Sequence, residues 1–203
     1  MELRTPSGKK RDRAAKQEAL IRAATKLFAS QGYEATRTSA IAARAGCAEG
    51  LIHRYFQGKA GLLFALMRVH EEAVELSERL PRVDDLGQEI QQLLEWELDR
   101  MRKDRDFLRV AIPRAILDPK VGRFVSRVGP GPHAKAIGER LRHYQRCGVV
   151  AKNEEIDALA NALGVLGFTL GFMCPVVFGF DRKGTKKLAI TVAKIFSRGL
   201  QQP

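Results

Sequence analysis

Several side chains between residues 44 and 59 are of types that suit contact with a polyanion, and they are spaced along two short predicted helices. Glu49, His53 and Arg54 fall on or near one face of the second helix. An arginine donates to phosphate or to a base edge, a neutral imidazole exchanges hydrogen bonds, and a carboxylate accepts them. Gly50 lies beside them and lets another backbone approach closely. This spacing indicates a recognition surface rather than a catalytic centre.

The elements that position these side chains are predicted to be two short helices behind a longer one. Apolar residues recur at helical spacing from about Arg13 to Gln31, and the short helices cover about Ser39–Ala45 and Ala48–Phe56. Gly46 separates the short helices and supplies the positive φ that a tight turn needs. A helix, a turn and a second helix form a helix-turn-helix, in which the second helix fits the major groove of B-DNA.

The charge of the chain also favours a polyanionic partner. Lys and Arg number 35 against 23 Asp and Glu, which gives a net charge of +12. Residues 1–60 hold 12 of the basic and 5 of the acidic residues, so more than half of the excess lies in under a third of the chain. Residues 1–12 are predicted to be a basic disordered tail. Nucleic acid and an acidic membrane are both partners that such a distribution suits, although a basic tail can also serve solubility alone.

A set of residues at fixed spacings resembles the TetR family of bacterial transcription regulators. The resemblance covers about residues 13–63 and is carried by Gly32-Tyr33-Glu34-Ala35-Thr36, Ile41-Ala42, Ala45-Gly46, Gly50, Tyr55-Phe56 and Lys59. Ala48, Glu49, Leu51 and His53 depart from the usual pattern, so the operator sequence does not transfer from a relative.

The resemblance implies an all-α fold in two parts. An N-terminal three-helix helix-turn-helix DNA-binding domain is expected over residues 13–60, and a C-terminal helical ligand-binding and dimerisation bundle over residues 61–203. The function it implies is a ligand-responsive, sequence-specific regulator, usually a repressor that a small molecule releases from a near-palindromic operator. Such a protein is a cytoplasmic homodimer without a cofactor. Its long helix from about Gly61 to Leu80 is the expected lever between ligand and DNA.

The resemblance and the helix geometry together assign candidate DNA contacts. The expected sources are residues at the start of the first short helix, Arg44 before the turn, the exposed face of the second helix, and the lysine at the start of the fourth helix. The candidates are Thr36, Arg37, Thr38, Arg44, Glu49, Gly50, His53, Arg54 and Lys59. Thr36 and Thr38 offer hydroxyls to phosphate, as Arg44 and Lys59 offer charge.

The C-terminal part carries two further sets of candidates. Large side chains at helical positions, with one arginine inside an apolar run, are candidates for a ligand pocket: Trp96, Phe107, Arg114, Tyr144, Phe168 and Phe172. Small and apolar residues on the last two helices are candidates for a four-helix dimer interface: Leu163, Gly167, Leu188, Val192, Ile195 and Phe196.

Two alternatives from other classes stay open at this point. Residues 158–180 carry no charge and are long enough to span a bilayer, which would make the chain a membrane-anchored DNA-binding protein. A helical enzyme is the weaker alternative, because His70 and Glu71 begin a zinc motif that has Val74 where its second histidine belongs. No metal site is predicted. The three cysteines are far apart and suit a reducing compartment.

Overall fold

The computed structural model describes residues 8–69, 80–128, 130–152 and 155–200, and every regular element in these ranges is a helix. The all-α prediction is confirmed for them. In chain order the helices are α1 Gly8–Gln31, α2 Thr38–Arg44, α3 Gly50–Phe56, α4 Lys59–Val69, α5 Leu86–Lys103, α6 Arg105–Leu117, α7 Pro119–Val128, α8 Pro130–Arg146, α9 Ile156–Phe168 and α10 Arg182–Leu200.

The contacts divide the chain into two units. Unit 1 contains residues 1–72 and 109–121, and unit 2 contains residues 73–108 and 122–203. The grouping of residues 109–121 with the N-terminal helices was not expected from the sequence. The boundary between a DNA-binding domain and a ligand-binding domain at residue 60 stays a prediction, because a grouping by contacts does not test what each part binds.

The predicted N-terminal tail needs a correction. Helix α1 begins at Gly8, so residues 8–12 are helical where disorder was expected. An ion pair between Lys16 and Asp12, four residues apart on one face, accompanies this extra turn. Residues 1–7 lie outside the described residues, as do residues 70–79 of the expected lever helix.

Unit 1 is built around one apolar core. Helices α1, α2, α3 and α4 all contribute to it, because each carries apolar side chains at a spacing of three or four residues. Its buried members include Leu20, Ala24, Leu27, Phe28, Ile41, Ala42, Ile52, Phe56, Leu62 and Leu66. A shared core of this kind fixes the orientation of α3 relative to α1 and α4.

Unit 2 has its own core, in which α9 packs on α8 and α5, and α10 packs on α5. Asp85 caps α5 by accepting from the Gln88 backbone N–H at 2.7 Å. A buried ion pair joins Glu89 of α5 to Arg140 of α8, and Nη2 of the arginine lies 2.9 Å from Oε2 of the glutamate. Arg140 also donates to the Leu80 carbonyl at 2.6 Å. These bonds satisfy the charges that burial would otherwise penalise.

The uncharged segment at residues 158–180 contributes to this core. The chain is helical from Ile156 to Val176, with a π-helical segment at Thr169–Met173. With a mean hydropathy of 1.7, this stretch is long and apolar enough to span a membrane. Its inner face is nevertheless buried in unit 2, where a Cβ on Gly167 would lie 2.6 Å from Cβ of Glu97 on α5. A core helix therefore accounts for the composition.

Candidate nucleic-acid interface

The turn between α2 and α3 depends on Gly46. Its φ is +63°, a conformation that side chains with a Cβ rarely adopt. Gly46 donates to the Ala43 carbonyl at 3.1 Å and Cys47 donates to the Ala42 carbonyl at 2.9 Å, so the end of α2 is closed by backbone bonds. The predicted helix-turn-helix is therefore confirmed in its geometry.

Helix α3 has one buried face and one exposed face. Ile52 and Phe56 are buried in the core of unit 1, and Gly50, His53 and Arg54 are exposed on the opposite side. Three of the four residues predicted for base contact therefore share one surface, as the helical spacing requires. Helix α3 ends at Phe56, and the two residues that follow, Gln57 and Gly58, both have positive φ.

Glu49, the fourth of these residues, precedes α3 and is tied to α2. The Thr38 hydroxyl donates to its carboxylate at 2.6 Å. The sequence predicted both residues as DNA contacts, and the structure brings them together. Because this bond holds the carboxylate beside the N-terminus of α3, Glu49 has a fixed position next to the exposed face.

Thr36 does not reach the surface. It is 1% exposed, and its hydroxyl donates to the Gly32 carbonyl at 2.7 Å. This corrects the expectation of a phosphate contact, because the hydroxyl is used to close the turn between α1 and α2. Arg37 and Arg44 are exposed at the two ends of α2, where the sequence placed them.

Lys59 fastens the same turn. Its Nζ donates to the backbone carbonyls of Tyr33, Glu34 and Thr36 at 3.0, 3.2 and 3.2 Å. The ammonium also lies 4.6 Å from the centre of the Tyr33 ring. Three carbonyls match the three N–H groups of a lysine, so these contacts assign Lys59 a structural role instead of the predicted phosphate contact.

Arg114 reaches this turn from α6. Its guanidinium lies 4.8 Å from the centre of the Tyr33 ring and donates to Glu34 at 2.8 Å and to Asp118 at 3.3 Å. Burial raises the pKa of Tyr33, and the positive charge of Arg114 opposes that shift. The sequence predicted Arg114 as a ligand contact, but the structure places it against the turn between α1 and α2.

Two further contacts of unit 1 were missed. The Arg13 guanidinium lies 5.2 Å from the centre of the Tyr55 ring, so α1 contacts α3 through a cation–π pair. A Cβ on Gly61 would overlap the Phe56 carbonyl oxygen, so the first turn of α4 can approach the end of α3 only with a glycine at this position. Nothing in the sequence around Gly61 indicated so close an approach between the two helices.

The predicted ligand residues of unit 2 are mostly packed. Phe107 and Tyr144 are buried, and the Tyr144 hydroxyl donates to the Val83 carbonyl and bonds Glu89 at 3.4 Å. Phe168 and Phe172 stack with ring centres 5.5 Å apart. Among the six, Trp96 lines a cleft of about 420 Å³, together with Leu80, Gln92, Glu95, Asp99, Arg100, Lys103 and Asp104.

The predicted dimer residues divide into two groups. Leu163 and Gly167 are buried in unit 2, so the structure corrects their assignment: the small residue admits α5 of the same chain. Val192 and Phe196 are half-buried against the core. Leu188 and Ile195 are exposed, the latter at 64%, and so is Val165 on α9.

Comparison with known proteins agrees with this geometry. Residues 20–66 match the family model described as "Bacterial regulatory proteins, tetR family". No curated protein matches the chain.

Solved structures described as transcriptional regulators, two of them of the TetR family, share the fold across nearly the whole chain. A regulator from Mesorhizobium loti superposes with a TM-score of 0.69 at 18% identity, covering 94% of this chain and 98% of its own. A regulator from Rhodococcus sp. gives 0.74 at 15% identity, with 90% and 98% covered. A transcriptional regulator from Saccharomonospora viridis in complex with choline gives 0.70 at 21% identity, with 92% and 98% covered. The helix-turn-helix segment is thus that of the tetR family of bacterial regulatory proteins, and the chain has the fold of TetR-family regulators.

Proposed function

We propose that this protein is a DNA-binding transcription regulator that reads its operator with the exposed face of α3. The observation that carries the proposal is the division of α3, with Ile52 and Phe56 in the core and Gly50, His53 and Arg54 facing outward. A helix held in this way can enter the major groove, where Arg54 and His53 supply hydrogen bonds to base edges.

Phosphate contacts are assigned to the exposed arginines around α2. Arg44 lies in its last turn and Arg37 is its N-cap residue, so both can reach a backbone beside the groove. The hydroxyl of Thr38 is directed to Glu49, which leaves its oxygen as an acceptor only. Glu49 beside α3 can accept from cytosine N4 and repels phosphate, so it contributes to base preference more than to affinity.

A homodimer would present two copies of this face to a near-palindromic site. Recognition helices of such dimers enter successive major grooves about 34 Å apart. Exposed apolar residues on the last two helices support this assembly, because Val165, Leu188 and Ile195 expose 53%, 37% and 64% of their surface. Leu163 and Gly167 take no part in the proposed interface.

We further infer a small-molecule effector, release from DNA on binding it, and a cytoplasmic location. The similar Saccharomonospora viridis protein holds choline, which shows that this fold can bind a small molecule. At 21% identity that ligand does not transfer to this chain. Repression is the mode that the family resemblance favours.

Fluorescence anisotropy with the purified full-length protein tests DNA recognition. The upstream intergenic DNA of its own gene is compared with a shuffled fragment of equal length at several salt concentrations. We expect binding of the natural fragment to be tighter by at least about a hundredfold, with a steep loss of affinity as salt rises. Equal weak binding to both fragments would contradict recognition of this region.

Light scattering coupled to gel filtration tests the assembly. The unchanged protein is expected to elute as a dimer, and Ile195→Lys is expected to shift it to a monomer, because a charge would be buried at the interface. Lys194→Gln, an exposed change one residue away, serves as the control. A monomeric unchanged protein, or a dimer that tolerates Ile195→Lys, would contradict the proposed interface.

A further inference from the structure

A cleft of unit 2 has the properties of a ligand site. It has a volume of about 340 Å³ and lies between α5, the π-helical segment and the start of α10. None of the six predicted ligand residues lines it. Ligand sites in proteins span about 300–1,000 Å³, so its size suits a small molecule.

The charges around the cleft are unequal, with four basic side chains against two acidic ones. Both acidic side chains already have partners. Glu95 lies 3.5 Å from the Lys186 ammonium, and Asp99 lies 2.8 Å from the Arg102 guanidinium. Since these pairs cancel, the remaining charge of the cleft is positive.

The remaining cations are Arg105 and Arg182. Neither has a carboxylate partner among the residues that the structure describes. Arg182 is the first residue of α10, where the helix dipole adds positive potential. The nearby Asp181 carboxylate is occupied as the cap of this helix, because its Oδ1 accepts from the Gly184 N–H at 2.7 Å. Two guanidiniums therefore stand at the cleft without an anion.

Part of the cleft is lined by apolar residues rather than by charged ones. Leu98 of α5, Leu170 of the π-helical segment and Pro175 provide this surface. Gly171 brings the segment against α5, since a Cβ there would lie 3.1 Å from Cα of Leu98. π-Helical insertions are rare and occur frequently at functional sites, so the segment is a second observation in favour of a ligand.

We propose that this cleft binds an apolar carboxylate, with the carboxyl group at Arg105 and Arg182 and the hydrocarbon part on Leu98, Leu170 and Pro175. A guanidinium matches a carboxylate with two parallel hydrogen bonds. The hydrocarbon part accounts for the apolar surface, which an inorganic anion would leave exposed. The site does not depend on DNA binding, so its test is separate from that of the proposed function.

Isothermal titration calorimetry of the full-length protein tests the proposal with octanoate, octanamide, butanoate and inorganic sulfate. We expect one octanoate per chain. Octanamide has the same chain without the charge and should bind at least about tenfold more weakly. Each methylene lost should weaken binding about fourfold if the chain is buried, so butanoate should bind far more weakly than octanoate.

Variants locate the site. Arg182→Gln and Arg105→Gln should each lower octanoate affinity about tenfold or more, because each removes a charge-assisted pair. Arg198→Gln is the matched control, an exposed arginine of the same helix that does not line the cleft. All are surface changes, and circular dichroism verifies the helix content.

Three results would overturn the proposal. They are the absence of octanoate binding, equal binding of octanoate and octanamide, and octanoate affinity that is unchanged in both Arg182→Gln and Arg105→Gln. A fourth result, equal binding of sulfate and octanoate, would contradict the apolar class of ligand, because the cleft would then be a simple anion site.

Discussion

The guanidinium of Arg114 donates to the carboxylate of Glu34 at 2.8 Å, across eighty residues of sequence. The same guanidinium covers the ring of Tyr33 at 4.8 Å. Tyr33 and Glu34 lie in the turn between α1 and α2, whose carbonyls Lys59 holds from α4. The turn that leads into the helix-turn-helix is therefore fixed by one cation from α4 and another from α6.

Arg114→Gln is expected to weaken DNA binding and to lower the free energy of unfolding. An exposed ion pair contributes about 0–1 kcal/mol and a cation–π contact about 0.5–1 kcal/mol, so the loss should be about 1–2 kcal/mol. Glu34→Gln should cost less, since the stacking on Tyr33 remains. Urea unfolding and anisotropy measure the two effects. Unfolding curves of Arg114→Gln and the unchanged protein that coincide would contradict this role.

The variant Lys59→Met distinguishes a structural role of this lysine from a role in contacting phosphate. Loss of three bonds to carbonyls should lower the free energy of unfolding by at least about 2 kcal/mol, because a single hydrogen bond from a charged group already contributes about 1.5–3 kcal/mol net of water. The salt dependence of DNA binding should stay unchanged. A stable variant whose salt slope falls by about 1 would instead identify Lys59 as a phosphate contact.

Gly50 and Gly61 should respond differently to substitution by alanine. A Cβ on Gly61 would overlap the Phe56 carbonyl oxygen, so Gly61→Ala should destabilise unit 1 by several kcal/mol, as overpacking does. A Cβ on Gly50 would meet nothing within 4 Å, so Gly50→Ala should fold normally. If DNA approaches the backbone there, its affinity should still fall. Thermal unfolding and anisotropy distinguish the two, and full operator affinity of Gly50→Ala would contradict close approach at this position.

His133 should make stability depend on pH. Burial, aided by the nearby Arg100 and opposed by Asp104, lowers its pKa to about 4 from an ordinary value of 6.5. Between these values the unfolded chain binds a proton that the folded chain does not, so stability should fall as the pH is lowered from about 7 to about 4.

The size of this effect is roughly 1–2 kcal/mol once the partial exposure of the ring is taken into account. His133→Gln should remove that part of the pH dependence. Urea unfolding at pH 7, 6 and 5 measures it for both proteins. Identical pH dependence in the two would show that the imidazole does not titrate in this way.

The sequence predicted the helix-turn-helix well because its signals are local. Gly46 needs a positive φ, and the spacing of Ile52 and Phe56 determines which face of α3 is buried. Periodicity and turn residues act over a few positions and can be read from one chain.

Contacts between distant residues could not be predicted in the same way. Thr36 and Lys59 look like phosphate ligands by type, but their partners are carbonyls of the turn between α1 and α2. Gly167 looks like a dimer residue, but the helix that approaches it is α5 of the same chain. The type of a polar side chain or a glycine does not reveal which residue it will contact. Those contacts are defined only by the tertiary structure.

The most direct test of DNA recognition by α3 compares Arg54→Ala with Arg68→Ala in the anisotropy assay. Arg54 lies on the exposed face of α3, and Arg68 is an exposed arginine of α4 in the same unit. We expect Arg54→Ala to lower operator affinity by about 1–3 kcal/mol, some 5- to 150-fold, and to relax preference for the natural fragment over the shuffled one. Arg68→Ala should leave both unchanged. Equal operator affinity for Arg54→Ala and the unchanged protein would contradict recognition through this face.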